Sequence, residues 1–409
     1  MRGVMATSTM RATLQGMSQD PIPRPVWLLG GVSFFADVSS EMIYPLLPLF
    51  IVAVLGASAT SMGWIEGTAQ AVVALLTAYA GTRSDRYRRR LPWVRWGYGL
   101  PVLGKSILAV ATSWPMVLLG RNVDRVGKGL RSSPRDALIT DATPETMRGR
   151  AFGLHRAMDT AGALVGSLLA ALLLWGLSGN RDDARPYRIV FVISAAMGVA
   201  AVALTFLIRE APRDRPIERT AAGKFALPST YWMVLMMLLV FAIANSSDTF
   251  LLLRAADVGL SPWVVVLAYS MYNAVYTLGS YPAGAISDRI GRWRVIGIGW
   301  AVYAVVYAGF AVADSTSVWP LFAIYGLYMA LTDGVGKALI VDHAPPEHRG
   351  RALGIFYLAT GATTIISSVA AGVLWDRVGP AAPFWLGAGA AAVAVAILPF
   401  VVRRAALTR

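Results

Sequence analysis

Residues 121–128 read RNVDRVGK, with Arg121, Asp124, Arg125 and Lys128 in eight positions. Apolar SWPMVLLG (113–120) precedes them and DALIT (136–140) follows soon after. Read as a water-exposed loop, this stretch splits a crossing in two. Read as a helix, it holds four charges inside a membrane. The rest of the chain decides. Of 409 residues, 56% are hydrophobic and only 15% charged, where a soluble domain carries about 25% charged residues. The mean hydropathy is +0.56. Apolar runs of about 20 residues recur, the length an α-helical span needs. The alternating segments of about 10 residues that mark a β-barrel do not occur.

Twelve spans are predicted, at roughly 26–55, 62–81, 93–112, 115–140, 151–175, 189–208, 229–253, 262–286, 295–313, 320–341, 352–375 and 383–402. Lys and Arg concentrate in cytoplasmic loops, which tests the count. Basic clusters follow span two (Arg83 to Arg95), span four (Arg148, Arg150), span six (Arg209 to Lys224), span eight (Arg289, Arg292, Arg294) and span ten (Arg349, Arg351). The loops GASATS, ATSW and ADSTSV carry no Lys or Arg; the exception on that side is GNRDDARPYR (179–188), where two acids partly balance three arginines. The basic clusters fall on one side only if RNVDRVGK lies inside span four. Both termini are then cytoplasmic. The expected organisation is a cytoplasmic tail (1–25), a six-helix bundle (26–208), a cytoplasmic linker (209–228), a second six-helix bundle (229–402) and a cytoplasmic tail (403–409).

The chain also repeats itself. GTRSDR (81–86) matches GAISDR (284–289) at an offset of 203. ALITDATPETMRGRAFG (137–153) matches ALIVDHAPPEHRGRALG (338–354) at an offset of 201. Two matches at nearly one offset indicate two homologous halves. Parallel halves of this kind are one transporter architecture, with the substrate site between them near the midplane. The predicted fold class is an all-α membrane protein, twelve transmembrane helices arranged as two pseudo-symmetric six-helix bundles.

GTRSDRYRRR resembles the loop signature of the major facilitator superfamily, roughly G-x-x-x-D-R-x-G-R-[RK]. Gly81, Asp85, Arg86, Arg89 and Arg90 fit it, and Tyr87-Arg88 departs where a Gly is usual. The second copy, GAISDRIGRWR, fits with Gly284, Asp288, Arg289, Gly291 and Arg292. The resemblance implies that Asp85 and Asp288 latch helices together on the cytoplasmic side of the outward-facing state. The simpler reading is that these charges only set topology. The superfamily's helix-four signature, R-x-x-Q-G-x-G, is met by Arg121 and Gly127. Asp124 and Arg125 stand where Gln and Gly are usual. By resemblance, Arg121 is linked to proton transfer.

Charges within spans default to functional hypotheses, because each costs several kcal/mol unless paired or wet. The first half holds Asp37, Glu41, Glu66, Lys105, Arg121, Asp124, Arg125, Lys128, His155, Arg156 and Asp159. The second half is sparse, with Asp248, Asp333 and Lys337 as its deep candidates. At 1.5 Å per residue, Asp37 is level with Arg125, and Glu41 with Arg121. Those two ion pairs are expected. Asp37, Glu41, Arg121, Asp124, Arg125 and Lys128 are the candidates for proton coupling. Lys105, Asp159, Asp248, Asp333 and Lys337 are candidates for substrate binding or gating. For Asp248 a helix cap is an equal alternative. Gly162 and Gly166 form a G-x-x-x-G that suits close helix packing. Tyr44, Tyr269, Tyr272, Tyr276, Tyr325 and Tyr328 could line a ligand path or simply pack.

The chain has no Cys and three His, which leaves no thiolate or His-rich metal site. No nucleotide-binding G-x-x-x-x-G-K-[ST] occurs. The net charge of +14 is accounted for by loop arginines, so a nucleic-acid partner is not expected. The expectation is a cofactor-free, non-enzymatic secondary transporter of a bacterial-type inner membrane. It would act as a monomer in the lipid bilayer, moving a small organic solute by alternating access with protons as coupling ion, and efflux is the favoured direction. The runner-up is a proton-coupled importer of an organic anion or metal chelate. The reading of another class is a non-transporting sensor or scaffold on this fold.

Overall fold

The computed structural model describes residues 21–86, 89–144, 147–177, 183–210, 226–345 and 348–407. Much of the expected N-terminal tail and central linker lies outside the described residues. The chain folds as α1 (Arg24–Val54), α2 (Ala59–Arg86), α3 (Leu91–Val110), α4 (Trp114–Asp141), α5 (Arg148–Leu177) and α6 (Ala184–Thr205). The second half contains α7 (Ser229–Ala244), α8 (Thr249–Asp257), α9 (Pro262–Ile290), α10 (Arg292–Ala311), α11 (Val318–Asp342), α12 (Arg349–Arg377) and α13 (Ala382–Leu407). α7 and α8 are the two parts of the seventh span, so among the described residues thirteen helices make twelve crossings. Stretch 121–128 lies inside α4.

Proline punctuates these helices. α1 is regular to Ile43, then passes through a 3-10 turn at Tyr44–Leu46 and a π-helical turn at Phe50–Val54. Pro45 and Pro48 remove two amide donors there. The seventh span breaks at Asn245–Ser247, where Asn245 turns to extended backbone. Unwound backbone inside a membrane must find partners in protein. α12 supplies them: Ser367 Oγ donates to the Asn245 carbonyl (3.1 Å), and Ser368 Oγ accepts from the Ser247 amide (3.2 Å).

Small residues set the crossings. A Cβ on Gly162 would lie 2.3 Å from the Phe34 carbonyl oxygen, and one on Gly166 2.4 Å from that of Val38. The G-x-x-x-G thus packs α5 onto α1. α2 meets α12 by the same device: a Cβ on Gly63 would lie 2.3 Å from the Ser368 carbonyl oxygen, and one on Gly372 2.5 Å from that of Ala59. α2–α12 and α5–α9 are seams between the halves. Because backbone rather than a flexible side chain blocks the position, Gly166→Val is expected to cost about 1–3 kcal/mol by overpacking. Thermal unfolding in detergent should show a clearly lowered midpoint; an unchanged midpoint would mean that α1 and α5 can separate freely.

The loops rich in arginine define a basic end of the bundle. There, Arg90 Nη1 pairs with Asp141 at 2.6 Å, and Arg292 Nε pairs with Asp342. The two pairs are related by the repeat, each tying the start of a third helix to the end of a fourth. Glu210 accepts the amides of Arg90 and Leu91 at 2.8 and 3.0 Å, capping α3. The latch expected at Asp85 and Arg86 falls on side chains outside the described residues, and Gly81 lies in α2. In the second copy, Asp288 is exposed and reaches Arg292 at 3.3 Å, while Arg289 is also exposed. Arg292 therefore links Asp288 to Asp342. Nothing packs within 4 Å of a Cβ placed on Gly284.

At the opposite end the halves are clamped. Asp376, at the end of α12, accepts the amides of Ala59 and Thr60 (both 2.9 Å) and the Thr60 hydroxyl (2.6 Å). The first turn of a helix offers free amides and a positive dipole end, so a carboxylate fits it.

Candidate functional site

α4 carries Arg121, Asp124, Arg125 and Lys128 at three- and four-residue spacing, which places them along one face. Arg121 grips Glu66 of α2 with two bonds, Nε–Oε1 at 2.8 Å and Nη2–Oε2 at 3.1 Å. The two side chains are 3% and 1% exposed. Asp124 forms an ion pair with Arg125, 3.2 Å from Nε but without hydrogen-bond geometry there, and lies 3.8 Å from Arg121 Nη1. The Arg121 guanidinium also sits 5.3 Å over the Tyr44 ring, within cation–π range. The stretch that looked like a loop is thus neutralised from within the bundle.

The two pairs expected from depth do not form. Among the described residues, Asp37–Arg125 and Glu41–Arg121 are not ion pairs within 4.0 Å, and Arg121 belongs to Glu66. Depth along the helix fixes height but not the direction in which a side chain points. Glu66 lies seven residues into α2, and Arg121 seven residues into α4, from the same end. They are level as well, and α2 packs directly on α4. Glu41 instead accepts from the Tyr269 hydroxyl of α9 at 2.9 Å, a bond across the halves. Asp37 on α1 and Asp159 on α5 lie near enough for each to act on the other's charge. Asp159 also takes Arg156 Nη1 at 3.0 Å.

Lys128 is exposed although it lies halfway along α4. Asp37, Glu41, Arg125 and Arg131 are the charges acting on it. Lys105, 3% exposed, donates to Ser39 Oγ (2.5 Å) and Ser40 Oγ (3.2 Å). Ser33 joins Tyr98 (3.1 Å) and His155 (2.8 Å), and Arg131 lies 4.4 Å over the Tyr98 ring. The first half therefore holds a continuous charged layer over α1, α2, α4 and α5.

In the second half, Asp248 precedes α8 but its side chain does not cap the helix. It accepts from the hydroxyls of Tyr272 (3.1 Å) and Tyr325 (2.6 Å). Asp333 takes Lys337 Nζ at 2.7 Å and the Tyr276 hydroxyl at 2.8 Å. A cavity of about 350 Å³ toward the basic end is lined by Arg156 of α5, Tyr276 midway along α9, Asp288 and Arg292 around the α9–α10 turn, and Asp333 of α11. The structure thus gathers Asp37, Glu41, Arg121, Asp124, Arg125, Lys128 and Asp159 in one layer, and places Asp248, Asp333 and Lys337 in another.

Sequence reasoning counted Glu66 among the internal charges but left it out of the site. It gave no role to Asp342 or Asp376. Asp342 was signalled by the aspartate shared by ALITD and ALIVD; for Asp376 no signal existed, since its partners lie more than 300 residues away.

The Major Facilitator Superfamily profile matches residues 29–253 and 233–408. An uncharacterized MFS-type transporter of Methanocaldococcus jannaschii is 34% identical over 388 residues, covering 93% of this chain and 95% of that one. The multidrug resistance protein MdtH of Aeromonas hydrophila is 24% identical over 356 residues, covering 86% and 87%. Among solved structures, the nucleoside transporter NupG superposes with a TM-score of 0.76 over 93% of this chain and 99% of that one, at 14% identity, a likeness of fold alone. With its twelve crossings in two repeated halves, the chain belongs to the Major Facilitator Superfamily.

Proposed function

We propose that the chain is a secondary transporter of a small organic solute, coupled to protons and working by alternating access in a bacterial-type inner membrane. The basic end faces the cytoplasm in this reading, so both termini are cytoplasmic and the structure is the inward-facing state. The observation that carries it is the placement of Asp37 on α1 and Asp159 on α5, two helices that cross in backbone contact at Gly162 and Gly166. Two carboxylates brought close at that crossing would share one proton, because like charges disfavour ionising both. Losing that proton leaves like charges beside Lys128 and Arg156 and changes which packing of α1 on α5 is favoured. Asp37 and Asp159 are thus the proton carriers of this reading, with the Glu66–Arg121–Asp124–Arg125 network as the frame that holds α2 and α4. Efflux is the direction, supported by the kinship with a multidrug resistance protein.

A panel of organic cations and anions in proteoliposomes tests this. An imposed pH gradient should drive flux of at least one solute. Asp37→Asn should reduce that driven flux at least tenfold while solute exchange without a gradient persists. Unchanged gradient-driven flux in Asp37→Asn would remove the coupling assignment.

A further inference from the structure

We propose that the break in the seventh span and the tyrosine stripe of α9 form a binding site for a lipophilic organic cation, with Asp248 as its counter-charge. This deepens the transporter reading by naming its substrate class, and rests on that reading for transport but not for binding.

Asp248 differs from the other acids of the bundle. Glu66, Asp124, Asp159 and Asp333 each have a cationic side chain within 4.0 Å. Asp248 has none among the described residues; the charge that acts on it is Glu66, of the same sign. Among the described residues Asp37 and Glu41 form no ion pair either, but Lys128 acts on both, whereas no cation is among the groups acting on Asp248. It lies nine residues, about 13 Å, from the far end of α8, within the membrane layer. A carboxylate there needs compensation. Two tyrosine hydroxyls fill two of its roughly four acceptor positions. Nearby, the Asn245 amide donates to the Tyr328 hydroxyl at 3.2 Å, while its buried Oδ1 has no partner. The break therefore offers acceptors and no free cation, which suits a positive ligand and disfavours an anion.

The surroundings are aromatic, with Tyr269, Tyr272, Tyr325 and Tyr328 buried. Tyr269, Tyr272 and Tyr276 recur on one face of α9. The Tyr272 and Tyr276 rings stack at 6.3 Å and 6°. Tyr272 lies 5.4 Å from Tyr325, and Tyr325 5.2 Å from Tyr328. Tyr276 also lines the cavity toward the basic end. The stripe thus runs from that cavity to the Asp248 carboxylate. Ring faces within about 6 Å of a cation attract it, most strongly where water is excluded. The first half offers the reverse chemistry, since Lys128 and Arg125 would repel a cation and steer it toward α9.

Equilibrium binding to the purified protein in detergent tests this with two probes of nearly one shape, tetraphenylphosphonium and tetraphenylborate. The cation should bind at least tenfold tighter than the anion. Asp248→Asn should weaken cation binding at least tenfold, and Asp248→Glu should keep most of it. Equal binding of the two probes, or unchanged binding in Asp248→Asn, overturns the proposal. If Asp248→Asn fails to fold, Tyr276→Ala serves, since Tyr276 does not touch Asp248: a loss of several-fold is expected and an unchanged affinity overturns it. Cation binding without any flux would sink the transporter reading and leave this site standing. Flux of anions with no phosphonium binding would do the reverse.

Discussion

Arg121→Ala should yield little folded protein, while Arg121→Gln combined with Glu66→Gln should recover much of it. Arg121 and Glu66 are almost wholly buried and joined by two bonds. Removing the arginine leaves a carboxylate in the membrane layer with its grip gone. Breaking a buried pair on one side costs about 3–5 kcal/mol, because the remaining charge is uncompensated. Replacing both partners removes the pair and its desolvation cost together, so the double variant is expected to suffer far less. Asp124 does not rescue the single variant; it is an acid too and already holds Arg125. Yield and thermal midpoint in detergent check this. A single variant as stable as the double would mean that Glu66 is neutralised by something other than Arg121.

The same pair shows how far the sequence could be read. Loop charge and the repeat placed RNVDRVGK inside a span, because both depend only on position along the chain. The burial of Arg121, Asp124 and Arg125 followed, though Lys128 is exposed, as did the assignment of internal carboxylates to partner them. Which carboxylate meets which arginine did not follow. Glu41 and Glu66 are both plausible partners for Arg121 by height, and only helix packing shows that Glu66 faces it. The Gly162–Gly166 spacing was legible as close packing, because backbone contact demands small residues. The tyrosines were not, since stripe and filler have the same spacing; that Tyr272 and Tyr325 bring their hydroxyls to Asp248 depends on how the helices pack. The latch motif drew attention to Asp288, yet Arg292 gathers the bonds, to Asp288 and Asp342 together.

Asp376→Ala should open the end opposite the cavity. The carboxylate caps α2 from the other half of the chain, through two amides and one hydroxyl. Losing a side-chain cap costs about 0.5–2 kcal/mol of the structure it secures. Here the structure secured is the closed α2–α12 seam, so the loss appears in the balance between two states of the transporter. One or two kcal/mol corresponds to a shift of roughly 5- to 30-fold, and part of that will be lost to water, because Asp376 is exposed. The chain has no Cys, so Met62→Cys gives a single reporter; Met62 is fully buried, two residues after the capped Thr60. A membrane-impermeant maleimide should label that cysteine slowly, and several-fold faster once Asp376 is replaced. Gly63 and Gly372 hold the same seam by backbone contact, and that packing survives the substitution, so labelling should remain far from the rate of an open cysteine. Equal labelling with and without Asp376 would mean that the glycine contacts alone keep this end shut.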